Sequence, residues 1–426
     1  MRSLFLALTL LAAQAAAAES LLLTAAHLLD VRDGSLIDNA AVLVEDGRIA
    51  AVGTRDAVEA PAGARRLDLP GATLLPGLID MHVHLTSSPE YHGFRRLALS
   101  DERKAIQGVV HAERTLYAGF TTARNVGAGS YGDVALRDAI NAGEVPGPRL
   151  FVSGPPVGIT GGHCSDNNLL PAEYDLEGEG VADGPWAARA AVRRNIKYGV
   201  DLIKTCSTGG VLSKGTRVGA PQYSVEELTA LVDEAHSRGL RVASHAHGAE
   251  GIRNALEAGV DTIEHGSFID EAGIRLAKKK GAWLGMDIYV TEFILGEGEE
   301  KGILPESLEK ERMTGETQRA NFRKAVEAGV KMIYSTDAGV YPHGHNARQL
   351  SRMVEFGMTP LQALQAATLN SAEALDRGDS IGVLAPGYLA DVIAVQGNPL
   401  EDISLLESVH FVMRDGVVYK HSRVKD

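Results

Sequence analysis

A chain of 426 residues, 45% of them hydrophobic, can bury a large core, which excludes a disordered or low-complexity protein. A formal net charge of −13 provides no basic surface, so nucleic-acid binding is excluded too. The two cysteines, Cys164 and Cys206, cannot form a disulfide framework, and the sequence leaves their pairing open.

In chain order, residues 1–18 read as a secretory signal: Arg2, an apolar run from Leu4 to Ala13, then small residues with Ala16 and Ala18 at an A-x-A site. The run is shorter than the roughly 20 apolar residues that span a bilayer. The mature chain is therefore expected across the inner membrane, periplasmic or extracellular, with no membrane anchor of its own. Residues 19–76 carry short strand patterns (Ala41–Val44, Gly47–Gly53, Arg66–Leu69) punctuated by Gly, Asp and Pro. Residues 383–426 repeat the style in Asp391–Val395, Val409–Met413 and Val417–Tyr419, with Asp415-Gly416 as a hairpin signal. Both ends are β, which predicts a small β-sandwich built from the two termini.

Residues 77–382 alternate strands and helices. One helix starts at the capping box Ser224/Glu227, lines one face with Leu228, Leu231, Val232 and Ala235, and stops at Gly239. Another begins at Thr359-Pro360 and runs through Leu361, Leu364 and Ala367. Linking such helices is a degenerate unit, a Gly followed by a short apolar strand that ends on a polar residue. It occurs at Gly119–Arg124, Gly199–Lys204, Gly239–His245, Gly259–His265, Gly281–Asp287 and Gly329–Asp337. With Leu78–His84 and Arg149–Ser153 the count is eight, which predicts a TIM-like (β/α)8 barrel. An open doubly wound sheet could use the same units, but it would scatter the strand-final polar residues along an edge, whereas a barrel gathers them in one mouth.

Among those residues, His82 and His84 share one face of a strand, about 7 Å apart, and two such imidazoles can grip a metal ion. The segments Gly77–His84, Leu202–Lys204, Ser244–Gly248, Ile263–Gly266, Ser335–Gly339 and Ala385–Val392 resemble the metal-dependent amidohydrolase superfamily. The resemblance is nearest to its imidazolonepropionase-like branch, which includes Xaa-Pro dipeptidases and ochratoxin-hydrolysing amidohydrolases. It implies His82, His84, Lys204, His245, His265 and Asp337 as ligands of two divalent ions, Zn²⁺ foremost. It also implies a bridging carbamate formed by CO2 on Lys204. The residue chemistry is consistent, because imidazoles and a carboxylate suit Zn²⁺, and a lysine buried beside cations is pushed toward the neutral amine that can add CO2.

The resemblance implies a metal-bridging hydroxide as attacking group and Asp337 as the catalytic base that later protonates the leaving amine. It also implies His163 and Tyr223 as substrate contacts. His247 is expected just behind the ligands, His236 at the surface, and Glu264 in a structural role. Arg124, Arg217, His343 and His345 are candidates to meet a substrate carboxylate. The expected activity is hydrolysis of a small-molecule amide: an Xaa-Pro-type dipeptide or N-acyl amino acid, with ochratoxin A a chemically similar target. A homo-oligomer is expected. The rival activity is hydrolysis of a cyclic amide or lactone, and a more distant rival is a non-catalytic binding protein on the same scaffold.

Overall fold

The computed structural model describes residues 20–164, 168–174 and 176–422. The secretory signal expected over 1–18 lies outside the described residues. Strands β1 (Ser20–Leu29), β2 (Leu36–Glu45), β3 (Arg48–Thr54) and β4 (Arg65–Pro76) come first. The middle of the chain carries β5 (Leu78–Val83), β6 (Phe120–Asn125), β7 (Arg149–Val152), β8 (Leu202–Cys206), β9 (Arg241–Ala246), β10 (Thr262–His265) and β11 (Trp283–Gly285), and β12 (Val392–Gln396), β13 (Phe411–Arg414) and β14 (Val417–His421) end it.

Strands from both termini do combine, but into one continuous mixed sheet in the order β14-β13-β12-β4-β1-β2-β3. The expected β-sandwich is therefore not present as two separate sheets. The cause is β4, which is 12 residues long and pairs parallel with β1 on one flank and antiparallel with β12 on the other. The sheet then folds over until its ends touch. Gly47, in the β2–β3 turn, accepts a hydrogen bond from Ala390 at 2.8 Å, and a Cβ placed on it would lie 2.8 Å from the Asp415 carbonyl in the β13–β14 turn. Inside the fold, Leu21, Leu23 and Leu28 of β1 meet Val392, Phe411 and Met413.

The middle strands form two parallel sheets, β5-β6-β7 and β11-β10-β9-β8. Asp201 N donates to Val152 O at 2.8 Å, and Val157 bridges Thr205, so the sheets adjoin at one side. At the other, the last expected unit is extended but is not a regular strand. Met332 bridges Leu284 of β11 and Ala338 bridges Val83 of β5. The left-handed backbone of Asp337 (φ 58°) interrupts the run between those two bridges.

The helix signals hold. Ser224 caps Val225–His236 in a capping box with Glu227, and Thr359 caps Pro360–Gln365 in another with Gln362. Leu228 and Leu231 of the first helix are fully buried, which contributes about 1.5–3 kcal/mol each. Among the described residues no helix is long and apolar enough to cross a membrane.

Candidate metal centre and active site

In or at the C-terminal halves of β5, β8, β9 and β10 stand His82, Lys204, His245 and His265, and parallel pairing brings them together. They line a cavity of about 700 Å³ with His84, His163, His247, Asp287 and Asp337. Two groups of donor atoms each lie within 4.8 Å of one another: His82, His265 and Asp337, and His245, His247 and His265. His265 belongs to both. Asp337 Oδ1 lies 3.4 Å from His82 Nε2 and 3.3 Å from His84 Nε2. The Nε2 atom of His245 is buried with no hydrogen-bond partner. An orphan of this kind costs about 1–3 kcal/mol unless something accepts its lone pair, and a cation amid imidazoles and a carboxylate would do so. The donor set therefore fits a divalent metal.

Lys204 is 2% exposed. Burial pushes its amine down to about 8, against the opposing pull of Glu264, and burial likewise lowers His82 to about 3. Burial raises the Asp337 carboxyl, but His82 and His84 outweigh it and hold the group well below the usual carboxylate range. Two residues of the cluster also carry backbone strain, since His265 (φ 70°) and Asp337 (φ 58°) adopt the left-handed region without being glycine. Strain of about 1–3 kcal/mol persists only where the surroundings enforce it.

Outer contacts set the imidazoles. Glu264 Oε2 lies 3.1 Å from His82 Nδ1, and Asp287 Oδ1 lies 2.9 Å from His265 Nδ1. Each carboxylate engages Nδ1 and leaves Nε2 to face the cluster. Gln318 fixes Asp287 in turn, donating at 3.0 Å. Glu264 also accepts from Arg124 Nη2 at 2.5 Å, so its structural role extends to holding His82. Asp287 and Gln318 escaped the sequence reading. Asp287 ends a Gly-strand-polar unit, which was the available signal, whereas Gln318 carried none.

The remaining expectations divide. The ring of His163 sits 4.1 Å from that of His245 and lines the cavity. His247 lies beside His245 and His265, with Nδ1 2.7 Å from Ser267 Oγ. Tyr223 departs from its expected role. It is 2% exposed, packs in the core, and donates its hydroxyl to the Ala182 carbonyl at 2.7 Å, so it is committed away from the cavity. Arg124 is locked to Glu264, and His343 is buried against His111. Arg217 and His345 are exposed and do not line the cavity. His236 pairs with Asp261 near the surface at 2.8 Å. The cysteines form a disulfide, Cys164–Cys206, tying the loop that bears His163 to the strand that bears Lys204.

His163 is held where it is by a missing side chain. A Cβ on Gly210 would fall 2.5 Å from its Cε1 atom. Gly210→Ala is therefore expected to displace the ring and lower kcat/KM by about 10²-fold, the cost of misplacing a positioned group by an ångström. Steady-state kinetics beside a thermal melt check this, and a fall in melting temperature without a fall in kcat/KM would contradict it.

Comparison with known proteins places this geometry. Residues 73–419 match the amidohydrolase family. The chain is 34% identical over 425 residues to an ochratoxinase of Aspergillus niger, covering 93% of this chain and 86% of that protein. It is 28% identical to an imidazolonepropionase of Salinispora tropica, covering 83% and 85%. A solved Xaa-Pro dipeptidase with methionine bound in its active site superposes with a TM-score of 0.90 at 38% identity, covering 94% of this chain and all of that one. With a family match across most of its length and a relative this similar from end to end, the chain belongs to the amidohydrolase family and is a hydrolase acting on amide bonds.

Proposed function

We propose that the protein is a binuclear metal-dependent amidohydrolase that releases an amino acid from Xaa-Pro-type dipeptides or N-acyl amino acids, ochratoxin A among them. The observation that carries this is His265, which closes both donor clusters and so supports two adjacent cation positions. His82, His84 and Asp337 would hold one ion and His245 and His265 the other, with Lys204 between them as a carbamate. The neutral Lys204 amine would add CO2, forming an N–C bond and releasing one proton, and its lowered pKa supports this. The bridges that join the two parallel sheets support a closed (β/α)8 arrangement around the site. We further read residues 1–18 as an export signal, so that the mature enzyme would act outside the inner membrane.

Bound cations supply Lewis acidity to the scissile carbonyl and acidify water. The chain supplies the rest. Glu264 and Asp287 hold the imidazoles in one orientation, so no reorganisation is needed at the moment of reaction. Asp337 Oδ1, between two Nε2 atoms, accepts the proton released by the attacking water and returns it to the departing amine nitrogen. Its low pKa suits the second half of that task. The ochratoxinase and the Xaa-Pro dipeptidase to which the chain is similar both have names within this substrate class.

The test is a panel given to Zn²⁺-loaded enzyme: N-acyl-phenylalanines including ochratoxin A, Xaa-Pro dipeptides, cyclic amides and lactones. Release of free amino acid from the first two groups is expected. Turnover confined to the lactones or cyclic amides would refute the proposal.

A further inference from the structure

With Arg124 locked to Glu264, and Arg217 and His345 off the cavity, the arginine that does line it is Arg96, on the short helix Gly93–Ala98. Among the described residues its guanidinium makes no hydrogen bond or ion pair. Its neighbour Arg95, by contrast, donates to the Glu300 carbonyl at 2.8 Å. Two acidic residues of the same rim are engaged elsewhere, Asp101 accepting from Lys104 Nζ at 2.9 Å and Glu179 from Ser130 N at 2.6 Å, while a third, Glu177, makes no ion pair with Arg96. Arg96 is exposed to solvent on one side, while the protein packed on its other side lowers its pKa and no carboxylate opposes the shift. Burial lowers the pKa of His92 and His163, and the Arg96 charge lowers both further, so it acts on two histidines of the cavity wall.

A guanidinium offers a planar fork of donors matched to a carboxylate, and pairing one that is unpartnered and partly dehydrated gains more than pairing one in bulk water. Leu97, Leu99, Ile294, Leu304 and Val340 give the same cavity apolar wall. We propose that Arg96 binds the α-carboxylate of the substrate, so that the enzyme selects amides of amino acids with a free carboxylate and an apolar side chain. This rests on the amide-hydrolase reading above. Of the lysines that line the cavity besides Lys204, Lys104 is paired with Asp101, whereas the Lys214 ammonium lies 5.5 Å over the Phe94 ring, a neutral partner, and serves as the control.

The experiment uses the Zn²⁺-loaded enzyme with N-acetyl-phenylalanine and its C-terminal carboxamide, comparing wild type, Arg96→Met, Arg96→Lys and Lys214→Ala. Arg96→Met is expected to raise KM for the acid roughly ten- to a hundredfold, the value of a hydrogen bond to a charged group. It should leave kcat and the carboxamide within a few-fold of wild type, and Arg96→Lys should recover part of the loss. Equal effects on acid and carboxamide, or no effect, would overturn the inference alone. A carboxylate-specific loss in Lys214→Ala but not in Arg96→Met would overturn it by moving the role to Lys214. Failure of the wild type to cleave either compound would overturn the underlying substrate class, and this inference with it.

Discussion

Lys204→Ala is expected to abolish stoichiometric binding of divalent metal and to lower turnover by at least roughly a hundredfold, the upper end of what loss of an outer-sphere partner costs. Lys204 is nearly fully buried at the end of β8, and its charge acts on His82, His163, His245, His247 and His265. Left as an ammonium it would repel the cations that the proposed ligands His82, His84, His245 and His265 would hold. Converted to a carbamate it becomes an anionic ligand, and removing it leaves the two ions with Asp337 as the one anionic group among the proposed ligands. Elemental analysis of the purified variant, alongside kinetics with the best substrate of the panel, reads both effects. Wild-type metal content and rate in Lys204→Ala would reject the bridging assignment.

Glu264→Ala should be the most destabilising single change near the site. The carboxylate is fully buried and accepts from Arg124 Nη2 and from the Thr262 hydroxyl, both at 2.5 Å, while Arg124 is itself only 3% exposed. Removing one partner of a buried pair strands the other charge, at about 3–5 kcal/mol. His82 also loses the acceptor at its Nδ1 atom, so activity falls by a further route, about 10- to 100-fold. The two losses can be separated. The double variant Glu264→Leu/Arg124→Met replaces the ion pair with apolar volume and is expected to recover most of the stability but not the activity. Chemical denaturation and kcat/KM on the same preparations decide this, and recovery of both together would show that Glu264 does not orient His82.

Much of the site could be read from the chain because barrel-type units put their polar residue at a fixed place, the end of an apolar strand after a glycine. His82, Lys204, His245 and His265 all occupy such places, and parallel pairing of those strands brings them together whatever the loops do. Asp337 follows the same rule in a segment whose backbone turns left-handed before regular pairing can form. The capping boxes at Ser224 and Thr359 were equally legible, since a cap is a contact across three residues.

What stayed hidden lay in contacts between distant parts of the chain. The pairing of His82 with Glu264 spans 182 residues, and no periodicity encodes it. Tyr223 shows the same limit from the other side: its motif points to substrate, yet the Ala182 carbonyl takes its hydroxyl. The rolled terminal sheet, the Cys164–Cys206 bond and the unpaired Arg96 likewise depend on which surfaces meet. Local pattern is set by residue spacing, which the chain carries in order, so the strand-end placement of the histidines, Lys204 and Asp337 could be read from it, while their role as ligands was implied by the resemblance. Which charges are neutralised, which hydroxyls are used up and which cation remains for a ligand are set by burial and by partners far along the chain, and those exist only once distant segments have packed together.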